Sequence, residues 1–128
     1  MNLLLDTHSF LWFVNDDPQL SETVLALIEE PTNLVFLSVG SLWEMAIKVS
    51  IGKLTISAPF DEFIREQLAI NNFVLLDVSI PHTMQVTSLP FHHRDPFDRL
   101  LIAQSLVEQI PIISIDTIFD AYGVIRLW

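Results

Sequence analysis

Residues 2–15 read NLLLDTHSFLWFVN: a run of leucines, one aspartate, then apolar positions spaced as on a helix, with no glycine or proline between them. NLLL (2–5) has the length of a short buried strand. THSFLWFVN suits a short helix, closed by the turn-like NDDP at 15–18. A buried strand passing into a helix through a single acidic residue is the first half of a crossover unit. The question is whether the rest of the chain repeats it.

It does. LVFL (34–37), FVLLDV (73–78) and PIISI (111–115) read as further buried strands, and VIRLW (124–128) as an edge strand. Between them lie helical patterns. Ser21 caps one running through about Glu30, on which Leu25 and Ile28 share a face. SVGSLWEMAIKVSIGKL (38–54) carries Leu42, Met45, Ala46 and Val49 at helical spacing, with Gly52 as the residue just past its end. Ser57 and Pro59 open a helix over FDEFIREQLAI, Pro81 to about Leu89 is helical, and a strong helix covers roughly residues 96–109. Short apolar strands alternating with helices predict a parallel sheet covered on both faces. The expected fold is therefore α/β, a three-layer α/β/α sandwich with a central parallel sheet, in one domain over residues 1–128.

Composition narrows the function classes. Apolar residues make up 51% of the chain and mean hydropathy is +0.47. No apolar run approaches the roughly 20 residues of a spanning helix, so no membrane is expected. The opening MNLLLDTHSF has no basic segment and does not read as a secretory signal. With no cysteine, disulfides and thiolate metal sites are excluded, and a reducing cytoplasm is the expected location. The apolar excess is expected to cover an oligomer or partner interface. Sixteen acids against six bases leave a net charge of −10. That argues against a broad electrostatic footprint for nucleic acid and favours a basic protein partner. A nucleic-acid substrate must then be held by a few local cations and by metal.

The acids themselves are arranged in a pattern. Asp6 follows the first strand and Asp116 the fourth; Glu44 sits in or near the first turn of the helix after the second strand. Asp95 and Asp98, within HHRDPFDR (92–99), open the helix that leads into the fourth strand. Helix N-termini in a parallel sheet lie at the carboxyl edge of the strands, where ligand crevices form, so all five acids are expected on one rim. Structural roles compete. Asp95-Pro96 is a helix start with an acid cap and proline at the first position. Asp98 then suits the third position, and Ser41 with Glu44 has the spacing of a capping box. Grouped carboxylates repel one another unless something positive neutralises them, and six bases are too few. An oxygen-only cluster favours Mg²⁺ or Mn²⁺. Such an ion polarises a phosphoryl oxygen and acidifies a bound water, which suits phosphodiester hydrolysis. No glycine-rich phosphate loop is present, so nucleoside triphosphate chemistry is not expected.

LLLDTHSFLW (3–12), SVGSLWEMAIKVSIGKL (38–54), HHRDPFDRLLIAQSL (92–106) and IISID (112–116), in this order and spacing, resemble the PIN-domain family, and most of all the VapC-type toxins of prokaryotic toxin–antitoxin pairs. The resemblance runs from about Leu4 to Trp128. It implies a metal-dependent endoribonuclease that leaves a 5′-phosphate and a 3′-hydroxyl, inhibition by a small basic antitoxin, and a homodimer. Carried over residue by residue, it assigns metal-site acids to Asp6, Glu44 and Asp116. The fourth is Asp98 or Asp95, because many members place that acid where this chain has Arg99. Asp98 is preferred, since Asp95 has the cleaner capping role. Thr7 and Ser114 resemble hydroxyl positions near the family's metal, and His8 is placed to reach a phosphate or base. Arg94 and Arg99 are the nearest cations and suit RNA phosphates, with local ion pairs to Asp95 or Asp98 as the equal alternative. His92 and His93 read as loop residues; Trp12, Trp43 and Phe97 read as core or interface.

Two other classes compete with a nuclease. One is a catalytically degenerate PIN-like module retained for protein binding, for which the oily composition argues. The other is a phosphatase that forms an aspartyl-phosphate. It requires a second acid two residues after Asp6, where this chain has His8, and a nearby lysine, whereas Lys48 and Lys53 both follow Glu44.

Overall fold

Alternating leucines decide the layering. In the computed structural model, which describes residues 1–128, β1 (Asn2–Leu5) is the central strand. Its Leu3 and Leu5 face one side and its Leu4 the other, all fully buried. β2 (Leu34–Ser38) repeats the device with Val35 and Leu37 opposite Phe36, and β4 (Ile112–Ile113) with one isoleucine on each side. Five strands, completed by β3 (Val74–Leu76) and β5 (Arg126–Leu127), form one all-parallel sheet in the order β3-β2-β1-β4-β5.

On the Leu3/Leu5 face lie α1 (Thr7–Val14), α2 (Glu22–Glu29), α3 (Val39–Ser50) and α4 (Phe60–Asn71), which contribute Phe10, Val24, Met45 and Ile64 to the core. On the Leu4 face lie α5 (Ile80–Ser88), α6 (Pro96–Glu108) and a 3₁₀ helix, Thr117–Tyr122, with Leu101, Ile102 and Phe119 innermost. The three-layer sandwich expected from the sequence is the observed fold. Each large aliphatic side chain buried this way contributes roughly 1.5–3 kcal/mol. No helix is long and apolar enough to cross a membrane.

The differences from expectation are local. FVLLDV, PIISI and VIRLW pair over only two or three residues each, because the sheet supplies neighbours only along part of each segment. Ser57 caps nothing: α4 begins after Pro59 without a side-chain cap. Ser21 caps α2 as its spacing predicts, accepting from the Val24 N–H at 3.2 Å. Gly52, with φ +75°, follows α3 in the left-handed conformation that ends a helix.

Candidate active site

The chain builds outward from β1 through β2 to β3, then returns to place β4 on the other side of β1. Strand order therefore reverses between β1 and β4, and in such sheets ligands bind beyond the carboxyl ends of the strands at that point. Asp6 leaves β1 at that point. Its N–H bonds Ile113 O at 3.1 Å, and its Oδ1 caps α1 by accepting from the Ser9 N–H at 2.8 Å. The side chain is buried. Burial raises its carboxyl above the ordinary range, against hydrogen bonds from Ser9 and Ser114 and the charge of His8, which pull it down.

Glu44 reaches the start of α1 from α3, but not from the first turn of its helix. β2 runs directly into α3, and the cap is Ser38, whose Oγ accepts from the Gly40 N–H at 3.0 Å. The capping box expected from Ser41 to Glu44 does not form. Nothing in LVFLSVGSL marks the boundary, so the helix begins before the residue that resembles a cap. Glu44 instead lies in the second turn, buried, with Oε1 accepting from Thr7 Oγ1 at 2.7 Å and Oε2 from Lys48 Nζ at 2.8 Å. Lys48 thus serves Glu44.

Asp95-Pro96 starts α6 as the sequence predicts. Asp95 Oδ1 accepts from the N–H groups of Phe97 at 2.8 Å and Asp98 at 3.1 Å. Asp98 follows in the first turn, its Oδ2 3.2 Å from His93 Nε2. The same nitrogen lies 2.8 Å from Asp116 Oδ2. Asp116 stands beyond Ser114 and Ile115 rather than directly after β4, and its Oδ1 caps the 3₁₀ helix by accepting from the Ile118 N–H at 3.0 Å. Burial, and then the charge of Asp95, push the Asp98 carboxyl up to about 7; His93 opposes them, while Asp6 and Glu44 add to the rise. Acids from the end of β1 and from α3 thus act on Asp98 of α6, and His93 ties Asp116 to Asp98.

His93 is the residue the sequence reading missed. Read as a loop position, it is held by Asp98 and Asp116, the latter 23 residues away. The local signal was its place two residues before a capping aspartate, where its Nδ1 accepts the Asp95 N–H at 3.1 Å.

One expected substrate contact, Arg99, needs correction, and two hydroxyls, Thr7 and Ser114, are too buried to meet a substrate. Arg99 is only 6% exposed and bonds carbonyls rather than the acids. Its guanidinium donates to Pro90 O at 2.8 Å and Leu89 O at 3.2 Å, and stacks 4.1 Å from the Phe91 ring centroid. With so many local carbonyls to satisfy, it secures the turn after α5 and pairs with neither Asp95 nor Asp98. Thr7 is buried and holds Glu44. Ser114 is fully buried, and its Oγ accepts from the Asp116 N–H at 3.1 Å. Arg94 is exposed, as is His8, whose ring lies 5.8 Å from that of Trp12. Trp43, 63% exposed, is not in the core; it meets Phe97 edge to face at 5.5 Å beside Glu44 and Asp98.

The carboxylates offer oxygen donors of the kind a hard divalent cation takes. Asp98 and Asp116 each bring an oxygen within 4.8 Å of the other and of His93 Nε2, while Asp6 and Glu44 stand near enough to raise the Asp98 carboxyl without joining that group. Lys48 pairs with Glu44, and His93 and the charge of His8 oppose the rise at Asp98 and Asp6, yet the Asp98 carboxyl stays raised, by burial first and by the neighbouring acids after it.

A family model described as PIN domain matches residues 3–125. Among solved structures, that of VapBC2 from Rickettsia felis bound to a promoter DNA fragment matches with a TM-score of 0.75 at 16% identity, covering 99% of this chain and 98% of that one. FitAcB from Neisseria gonorrhoeae matches with a TM-score of 0.66 at 20% identity, covering 98% and 96%. VapBC-1 from nontypeable Haemophilus influenzae gives 0.68 at 14%, covering 99% and 97%. At such identities the likeness is one of fold. No match is found among curated proteins.

Proposed function

The chain belongs to the PIN-domain family, and from that premise we propose that it is a metal-dependent endoribonuclease, the toxin of a toxin–antitoxin pair. What supports this reading is the convergence of Asp98 and Asp116 on His93, with Asp6 and Glu44 near enough to raise the Asp98 carboxyl, beside the point where strand order reverses. Mg²⁺ or Mn²⁺ held by these carboxylates, directly or through water, would supply an acidified water for attack on an RNA phosphodiester and charge to stabilise the leaving oxygen. The protein's own groups set the geometry. Ser9 fixes Asp6, and Thr7 with Lys48 fixes Glu44. Arg94 and His8, both exposed, contact RNA beside the acids.

A basic antitoxin suits a chain of net charge −10. A basic segment laid among the carboxylates would neutralise them and shut the site. The VapBC and FitAcB structures that share this fold support such a partner. Apolar side chains left open to solvent, Ile80 at 77% and Phe91 at 83% exposed among them, favour a further protein contact, such as a homodimer. The absence of cysteine suits a reducing cytoplasm.

The test is incubation of the purified, antitoxin-free chain with structured RNA, with and without Mg²⁺ or Mn²⁺, beside Asp6→Asn. Metal-dependent cleavage lost in the variant supports the reading. Equal cleavage by the variant refutes the site. RNA left intact favours the protein-binding module, and hydrolysis of phosphomonoesters alone favours the aspartyl-phosphate alternative.

A further inference from the structure

His93 touches two of the proposed ligands at once. Its Nε2 and one oxygen each of Asp98 and Asp116 lie within 4.8 Å of one another, near enough for a single ion to sit among them. The imidazole is therefore either a third ligand or a donor that holds two carboxylates in place.

The hydrogen bonds distinguish the two. The Asp95 N–H donates to Nδ1 at 3.1 Å, so Nδ1 presents its lone pair and carries no hydrogen. A neutral ring then has its single proton on Nε2. That nitrogen faces acceptors only: Asp116 Oδ2 at 2.8 Å and Asp98 Oδ2 at 3.2 Å. Moving the proton to Nδ1 would set it against the hydrogen of the Asp95 amide. That amide cannot turn away easily, because Asp95 caps α6 through two further bonds and Pro96 restricts the chain after it. The ring is also held in place. The His93 N–H donates to Tyr122 Oη at 2.7 Å, the ring meets Phe119 edge to face at 5.7 Å, and the side chain is 12% exposed.

We infer that His93 is a positioning residue, a fixed Nε2–H donor that clamps Asp98 to Asp116 and leaves their remaining lone pairs for the ion. This rests on the metal-dependent reading above and makes the ligand set all oxygen. Donors behind coordinating groups govern metal affinity because they fix where the ligands point.

Two spectroscopic readouts test it. Long-range ¹H–¹⁵N NMR of the metal-free chain labelled in histidine, with His93→Gln to assign the signal, reads the tautomer. The Nε2–H form is expected, and an Nδ1–H or doubly protonated ring overturns the inference. Electron spin echo modulation of the Mn²⁺-loaded chain reads the ligands: no directly coordinated imidazole nitrogen is expected, and ligand-strength nitrogen coupling overturns the inference. A chain that takes up no Mn²⁺ contradicts the metal reading instead, and the tautomer then decides the inference alone. In calorimetry with Mn²⁺, His93→Gln keeps a donor and is expected to stay within a few-fold of the parent affinity. His93→Asn keeps only the acceptor for Asp95 and is expected to lose roughly 10- to 100-fold. The reverse order contradicts the clamp.

Discussion

Thr7 Oγ1 donates to Glu44 Oε1 across 2.7 Å, joining the first residue of α1 to the second turn of α3. Both side chains are buried, so the bond fixes from outside α3 the carboxylate oxygen that Lys48 of the same helix leaves unheld. Thr7→Val keeps the shape and deletes the donor. It is expected to cost about 1–3 kcal/mol in urea unfolding and to weaken Mn²⁺ binding, with both effects reversed in Thr7→Ser. Unchanged metal affinity in Thr7→Val would separate Thr7 from the site.

Asp95 and Asp98 stand one helical turn apart and carry different loads. Asp95 Oδ1 is engaged by two N–H groups, while the Asp98 carboxylate meets only His93 among its hydrogen-bonding neighbours. Asp95→Asn retains a cap oxygen and removes a charge that presses on Asp98, so it is expected to leave Mn²⁺ affinity near the parent value. Asp95→Ala loses the cap and about 1 kcal/mol of stability. Asp98→Asn is expected to keep stability and lose metal binding. Calorimetry with the three variants decides which acid meets the ion, and the opposite ranking of the two asparagine variants would assign Asp95.

The two arginines of HHRDPFDR should separate in the same way. Arg99→Ala strips donors from buried carbonyls of the turn after α5 and is expected to lose on the order of 3 kcal/mol in denaturant unfolding. Arg94→Ala touches no buried group and should change stability by no more than about 0.5 kcal/mol. Its effect is expected in KM for RNA, with kcat little altered.

The raised carboxyls give the metal-free protein an unusual pH dependence. Asp98 is shifted from 3.8 to about 7, and Asp6 is also raised. Such a group holds its proton more tightly folded than unfolded, so its destabilising effect is absent below pH 3.8 and complete above about 7. The metal-free Tm is therefore expected to fall as pH rises through that window. At a hundredfold excess over its Kd at pH 8, Mg²⁺ or Mn²⁺ should add about 2.7 kcal/mol of stability at pH 8 and less at pH 5.5, and EDTA should reverse it. Asp98→Asn is expected to flatten the pH dependence.

How much of this was legible in the sequence depends on whether the signal was local. The central sheet was, because Leu3, Leu4 and Leu5 are buried on both faces and such strands read as unbroken apolar runs. The α6 start was, because Asp95-Pro96 acts through its own backbone. The α3 start was not: Ser38 and Ser41 are equally good caps, and only the register of β2 on β1 and β3 makes Ser38 the last strand residue. Arg99 and His93 were illegible for a related reason. One is drawn to carbonyls of a turn and the other to an aspartate from beyond β4, and neither partner lies at a fixed spacing.

The most direct test of the account is RNA cleavage by the antitoxin-free chain across a Mn²⁺ titration, with Asp98→Asn in parallel and EDTA as the quench. Cleavage is expected to rise with occupancy of the Mn²⁺ site, to stop in EDTA and to be absent from the variant, with 5′-phosphate product ends. Cleavage that persists in EDTA, or an Asp98→Asn chain that cuts as fast as the parent, would contradict it.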